Sequence, residues 1–370
     1  MLREADDDQM LREADYMDRA LFLAARGRGR TSPNPMVGAV IVAPDGVIVG
    51  QGFHERAGEA HAEVRALETA GDRARDATLY CTLEPCAHIG RTGPCAPRIV
   101  DAGIRRVVAA IEDPNPLVRG QGFAYLRAHA IDVEVGAGAV DSARLNQPFL
   151  TLMRERRPFV ILKAATSLDG CIAETPGTRT LLTSVAANRH AHAFRAEVDA
   201  IGVGVGTVLA DDPLLTVRGI YRERPLTRVV FDRRLRTPTA ARLLSTRTAG
   251  PVIIVTTAAA AARTEMRRPL EERGAQIEVA EGEGFRAALE RLAARHISSL
   301  LLEGGAAVHL AAWDERLVDV VRLYVTPTAL GPGGVQFLPD RRFATSDLLE
   351  RRVLSLGPDV LIEGYVHRAH

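Results

Sequence analysis

The chain has 370 residues, enough for two domains that each bury a core. Its 46% hydrophobic and 25% charged residues fit a soluble globular protein, and no apolar run reaches the roughly 18 residues of a membrane span. With 47 basic against 46 acidic side chains the basic excess of a nucleic-acid binder is missing, and the charged start (Arg3, Glu4, Asp6, Asp7, Asp8) is no secretory signal, so a cytoplasmic protein acting on a small molecule is expected.

The segment MLREAD occurs at 1–6 and again at 10–15, and residues 1–12 are expected to form a poorly ordered tail. Residues 13–26 read as an amphipathic helix with Tyr16, Met17, Ala20, Leu21 and Leu23 on its apolar side. Arg26, Arg28 and Arg30 follow, either as a solvated basic helix end or beside an anionic group. Gly38–Val42 and Val47–Gly50 read as strands around a Pro44-Asp45-Gly46 turn. A helix over 60–70 stops at Gly71, a strand runs over 77–81, a helix over 97–102 ends at Gly103, and a strand covers 106–111. A helix at 119–129 and a strand at 131–135 complete an α/β domain over 13–147. Pro148 and Pro158 mark 148–157 as a linker. A second, larger α/β domain over 158–370 follows. Its strands are expected at 159–164, 200–205, 228–231, 251–256, 276–279, 299–302 and 320–325, and its helices at 185–197, 284–295 and 306–313.

The strongest chemical signal is His61-Ala62-Glu63 followed by Pro85-Cys86 and Cys95. One histidine and two cysteines suit zinc, and three protein ligands leave a fourth position for water, as in catalytic sites. Cys81 lies inside a strand and reads as a core residue instead of a fourth ligand. Residues two apart do not share a face of a regular helix, so His61 and Glu63 can address one centre only where the chain enters the helix. Glu63 is then the acid/base that carries a proton from water to a leaving amine. A His-x-Glu with a later Pro-Cys and Cys is the signature of zinc nucleobase deaminases. Here eight residues separate Cys86 from Cys95 where that signature has two, so the loop must double back.

In the second half, Gly202-Val203-Gly204-Val205-Gly206-Thr207 follows an expected strand, and Glu303-Gly304-Gly305-Ala306 stands between a strand and a helix. Both runs suit either tight packing or a phosphate approached by backbone N–H groups. The only lysine among the 47 basic residues, Lys163, stands in an apolar strand and needs a partner, either a ligand or a buried acid.

The stretches SPNPMVGAVIV, GEAHAEVRAL, PCAHIGRTGPC, LKAATSLDG, GTVLADDPLLTVR and LLEGG together resemble the bifunctional deaminase/reductase of riboflavin biosynthesis. The resemblance runs from about residue 12 to near the end. It implies a cytidine-deaminase-like three-layer α/β/α domain followed by a dihydrofolate-reductase-like α/β domain. It implies one Zn2+ per chain on His61, Cys86 and Cys95, with Glu63 catalytic. The substrate implied is a phosphoribosylated diaminopyrimidinone that loses its 2-amino group and is then reduced by NADPH from ribosyl to ribityl. By matched position Ala165, Leu181, Thr207, Asp211, Gly305 and Ala306 would contact NADPH. Arg233 would either meet its 2′-phosphate or lie on the surface. Asn34, Lys163, Arg179, Arg195, Leu215, Arg218 and Glu303 would contact substrate, with His88 and Arg91 on the long loop as further candidates. The family usually carries a serine and a bulky aromatic where Arg179 and Leu181 stand, which leaves open an active deaminase joined to a non-catalytic reductase-like domain. A deaminase acting on nucleic acid and a purely structural zinc also stay open. The resemblance further implies a homodimer or homotetramer.

Overall fold

The computed structural model describes residues 2–88 and 93–367. The chain divides into two compact units, Met1–Glu155 and Arg156–His370. No described helix is long and apolar enough to cross a membrane.

In the first unit the order is α1 (Leu2–Ala25), β1 (Gly38–Val42), β2 (Ile48–Phe53), α2 (Ala62–Ala70), β3 (Thr78–Cys81), α3 (Cys95–Asp101), β4 (Arg106–Ala109), α4 (Gln121–Ala128), β5 (Asp132–Val135), α5 (Ala139–Leu145) and α6 (Gln147–Glu155). The sheet runs β2-β1-β3-β4-β5. β1 pairs antiparallel with β2 and β3, whereas β3, β4 and β5 are parallel. The unbroken apolar run of β1 is buried throughout because both faces are covered. Val40 and Val42 pack with Met17, Ala20 and Leu23 of α1. Ala39 and Ile41 pack with Val64 and Ala66 of α2 on the other face. That is the three-layer arrangement expected.

Two expectations need correction here. The helix expected over 13–26 is the C-terminal part of the longer α1. The linker expected at 148–157 is largely α6, whose Phe149 and Leu150 enter the first core. Pro148 sits in the first turn of that helix, where its missing N–H costs nothing. The basic residue Arg26 is exposed and stacks over Phe53, 4.7 Å from the ring centroid.

The second unit contains β6 (Phe159–Thr166), β7 (Cys171–Ala173), α7 (Val185–Arg195), β8 (Ala200–Gly204), α8 (Val205–Asp211), β9 (Thr227–Phe231), α9 (Arg242–Ser245), β10 (Val252–Thr257), α10 (Ala258–Ala261), α11 (Thr264–Glu272), β11 (Ala275–Ala280), α12 (Gly284–Ala294), β12 (Ser299–Gly304), α13 (Ala306–Asp314), β13 (Val320–Val325), β14 (Val335–Gln336), β15 (Leu349–Leu356) and β16 (Asp359–Tyr365). Nine strands run β11-β10-β9-β8-β12-β6-β13-β16-β15. The seven from β11 to β13 are parallel and the last two antiparallel. Alternate residues of β6 feed two cores, Val160, Leu162 and Ala164 on one face and Phe159 and Ile161 on the other. Lys163 therefore shares the face of Ile161.

Candidate active sites

In the first unit, glycines bring α2 directly onto β2. A Cβ at Gly50 would lie 2.3 Å from the Ala66 carbonyl oxygen, and one at Gly52 would lie 2.7 Å from that of Ala62. The close approach fixes the entry to α2. There His61 is the N-cap, with extended backbone (φ −71°, ψ 162°), and Glu63 lies in the first turn. Both side chains can thus address one point, as their spacing requires.

The eight-residue insertion doubles back. The Cys86 carbonyl accepts from the backbone N–H groups of Cys95 and Ala96, each at 3.0 Å, and Cys95 opens α3. His61 Nδ1 lies 3.2 Å from Cys95 Sγ and 3.5 Å from Cys86 Sγ. The ligand atoms of His61, Cys86 and Cys95 lie within 4.8 Å of one another, and among the described residues they form the one such group. A tetrahedral zinc at its usual bond lengths separates nitrogen and sulfur ligands by roughly 3.5 Å, so the three residues fit the ion. The hydrogen bond from Cys95, with His61 adding to it, pulls the Cys86 thiol well below its ordinary value, the direction a metal-binding sulfur needs. Hydrogen bonding to Cys86 in turn raises His61 to about 9. Cys81 is fully buried beside the Val108 carbonyl and takes no part, as expected.

Glu63 is buried, its Oε2 has no hydrogen-bond partner, and burial raises its pKa to about 6. An orphaned carboxylate oxygen beside a ligand set costs stability and is an acid/base waiting for a partner. Asn34 Nδ2 lies 3.1 Å from His54 Nε2, and His54 Nδ1 lies 3.2 Å from the Ala60 carbonyl. The carbonyl fixes the proton on Nδ1, so Nε2 accepts from Asn34. His54 also meets His61 edge-on at 5.5 Å. The sequence offered no spacing that marks His54. Glu84 was missed as well. Its buried carboxylate accepts from the N–H groups of Asp113, Gly120, Gly122 and Phe123, tying the segment after β4 to the Cys86 loop. His88 is half-buried with an unpartnered Nδ1, while Arg91 lies outside the described residues.

In the second unit, β12 and β6 run in register with Leu302 beside Leu162, which sets Glu303 next to Lys163. Arg195 from α7 grips Glu303 with two parallel bonds, Nε to Oε1 at 2.7 Å and Nη2 to Oε2 at 2.5 Å. Burial alone would raise Glu303, but the charges of Arg195 and Lys163 bring it to about 2. Burial lowers the Lys163 ammonium from its ordinary value, Glu303 opposing that and Arg195 adding to it. Lys163 Nζ also stands 5.4 Å from the centre of the Tyr324 ring, and Tyr324 Oη is 2.9 Å from His190 Nδ1. Of the two partners open for Lys163, the acidic neighbour is therefore present. His192 stands between Arg195 and Arg218. Burial, then those two cations, lower it to about 4, and it accepts from Arg218. Its place three residues before Arg195 on one helix face was the signal that could have revealed it.

Thr207 lies against the glycine turn. A Cβ at Gly304 would meet Thr207 Oγ1 at 2.9 Å and one at Gly305 would meet it at 3.2 Å. Gly305 has φ +79° at the entry to α13, which begins at Ala306. Leu215 is buried with φ +53°. Ala165 packs beside Tyr324. Asp211 ends α8 within electrostatic reach of Arg179, which replaces the small hydroxyl of the expected motif. Leu181 stands 81% exposed, unlike a residue packed in a closed pocket. Arg233 lines a cavity at the ends of β9 and β10. Cys171 is fully buried.

Both units match known domain families. Residues 10–111 match the cytidine and deoxycytidylate deaminase zinc-binding region, and 158–362 match the RibD C-terminal domain. The riboflavin biosynthesis protein RibD of Aquifex aeolicus (strain VF5) is 40% identical over 95% of this chain and 99% of its own length. The chain belongs to the RibD family. RibD of Escherichia coli (strain K12) is 39% identical over 94% of this chain and 97% of its own. The structure of Acinetobacter baumannii RibD, form 1, superposes with a TM-score of 0.84 at 37% identity, covering 95% of this chain and 98% of that one. A deaminase/reductase from Thermotoga maritima superposes at 0.80 with 34% identity over 95% and 98% of the two chains. As a RibD-family protein the chain is an enzyme of riboflavin biosynthesis with a deaminase and a reductase domain. A non-catalytic second domain gains no support, since the Lys163, Arg195 and Glu303 cluster is assembled.

Proposed function

We propose that the first unit deaminates 2,5-diamino-6-(5-phosphoribosylamino)pyrimidin-4-one to 5-amino-6-(5-phosphoribosylamino)uracil, and that the second reduces the ribosyl chain of that product to ribityl. The relative from Thermotoga maritima is named for both substrates. His61, Cys86 and Cys95 would hold one zinc per chain. When bound, that ion supplies Lewis acidity that makes water a nucleophile at neutral pH. Glu63 Oε2 takes the proton of the attacking water and returns it to the departing amine, so water enters and ammonia leaves. Asn34 is held by His54 to hydrogen-bond the pyrimidine, and the burial of Glu63 keeps bulk water from competing for its proton.

In the second unit NADPH supplies the hydride. Thr207, Asp211 and the Gly305–Ala306 turn would hold it, with Ala165 and Leu181 along its length and Arg233 at its far end. Lys163 faces the ribosyl chain, and Glu303 keeps it charged and oriented. Arg195 and Arg218 offer guanidinium groups to the substrate phosphate, with Leu215 against the ring and Arg179 at the rim. A homodimer or homotetramer in the cytoplasm completes the reading on the strength of the family.

The observation that carries the deaminase reading is the orphaned, buried Glu63 Oε2 beside the three-ligand cluster. The test incubates the zinc-loaded chain with the diaminopyrimidinone, with and without NADPH, and follows products by mass. Ammonia release without NADPH and a gain of two hydrogens with it are expected. Glu63→Gln lowers ammonia release by about 10²–10⁴-fold while reduction of supplied aminouracil continues. Equal loss of both steps in that variant would refute the assignment.

A further inference from the structure

Lys163 is the only lysine of the chain. Among the described residues its Nζ has no hydrogen-bond acceptor and no carboxylate within ion-pair distance. Glu303 acts on it through charge, and both oxygens of that carboxylate are bonded to Arg195. The three N–H groups of the ammonium are therefore uncommitted and can be given to oxygens of a bound molecule. A lysine stem is flexible, so another group must hold the ammonium in place.

The register of β6 and β13 supplies that group. Arg322 stands beside Lys163 and Tyr324 beside Ala165, all on one face of the sheet. Arg322 would repel the ammonium, but it is drawn the other way. Its Nε lies 2.9 Å from Glu363 Oε2, and its guanidinium stacks 3.5 Å from the centre of the Phe194 ring. Tyr324 is 1% exposed, and Lys163 Nζ lies over its ring, 5.4 Å from the centroid. A cation within about 6 Å of an aromatic face is attracted by the ring quadrupole, most strongly where water is excluded. The ring is held in turn. Its hydroxyl meets His190 Nδ1 at 2.9 Å, and Ala187 and Ala191 pack against it. His190 and Arg195 both belong to α7. One helix thus holds both groups that act on the ammonium, the carboxylate through Arg195 and the ring through His190.

We propose that Tyr324, held by His190, is a positioning residue of the reductase, its ring face fixing the Lys163 ammonium toward the ribosyl chain while leaving the N–H groups free. An oxygen in place of the ring would take up one of those donors. This rests on the reading of Lys163 as facing the ribosyl chain.

The test uses the zinc-loaded full chain carrying lysine labelled with carbon-13 at Cε, which gives one resonance because there is one lysine. In the wild type the Lys163 ε-protons are shifted upfield by the Tyr324 ring current. Tyr324→Leu removes that shift, lowers kcat for reduction of supplied aminouracil about tenfold and leaves NADPH affinity unchanged. Tyr324→Phe and His190→Ala each keep the ring and lose only the hydrogen bond, so both keep the shift and most of kcat. A wild type without the upfield shift overturns the proposal, as does Tyr324→Leu with the wild-type kcat; in both cases the reductase reading stands. Tyr324→Phe as slow as Tyr324→Leu assigns the effect to the hydroxyl and also overturns it. A wild type that does not reduce the aminouracil with NADPH defeats the reductase reading itself, and the proposal with it.

Discussion

At the scale of single residues, Glu303 is where charge and stability meet. It is buried, gripped by Arg195 and held to about 2 by that cation and Lys163. A carboxylate whose folded pKa lies below its unfolded one adds stability above the unfolded value and loses it as the pH falls toward the folded one. The contribution, on the order of 3 kcal/mol, is complete above about pH 5 and is lost between there and pH 2. Glu303→Gln removes this carboxylate and leaves Arg195 buried without a counter-charge. Its unfolding midpoint in urea is therefore expected to fall well below that of the wild type at pH 7, and the gap to narrow at pH 3. A gap of the same size at both values would show that the pair is not ionised as drawn. His61, Cys86 and Cys95, which the fold brings together, and Glu63 beside them could be picked out in the sequence because the chemistry proposed for them demands fixed residue types. His54 and Glu84 were not legible, because each acts through a neighbour brought in by the fold and no local spacing marks it.

At the scale of elements, the deaminase site depends on how close α2 lies to β2. Gly52 leaves room for the backbone of Ala62, next to the ligand His61. Gly52→Ala places a methyl group 2.7 Å from the Ala62 carbonyl oxygen and within 2.8 Å of the Ala66 nitrogen, so the helix must move. Gly71→Ala at the other end of α2 meets nothing within 4 Å, although its φ of +54° disfavours a side chain. The first change is expected to weaken zinc affinity and thermal stability together. The second costs about 1–3 kcal/mol in backbone strain and leaves zinc affinity intact. Zinc titration with a chromogenic chelator separates them, and equal affinities for the two variants would remove the positioning role of the helix–strand contact. Elements with strong periodicity, β1 and β13 above all, were legible to the residue. The antiparallel edge strand β15 was not, since its sequence LERRVLSL is exposed along almost its whole length and lacks a buried face to pattern it. α6 was hidden by Pro148, a residue that ends a helix when internal and begins one when it falls in the first turn.

At the scale of the whole molecule, each unit carries its own hydrophobic clusters and its own site. The division into two catalytic halves was legible because each half has its own motif set; the boundary was not, because α6 continues the first core through the expected linker. A ligand that binds only the folded form of one unit stabilises that unit by mass action, about 2.7 kcal/mol at a hundred times its dissociation constant. Zinc acts on the unit that holds His61, Cys86 and Cys95, and NADPH on the unit that holds Thr207 and Gly305. Calorimetry of the full chain is therefore expected to show two transitions. Chelation lowers one and leaves the other in place; NADPH raises the other and leaves the first. Glu63→Gln, which keeps all three ligands, retains the response to zinc, whereas Cys95→Ser loses most of it without touching the response to NADPH. A single transition that moves with both ligands would mean that the two cores melt as one, and the independence of the two activities would then need to be shown by kinetics alone.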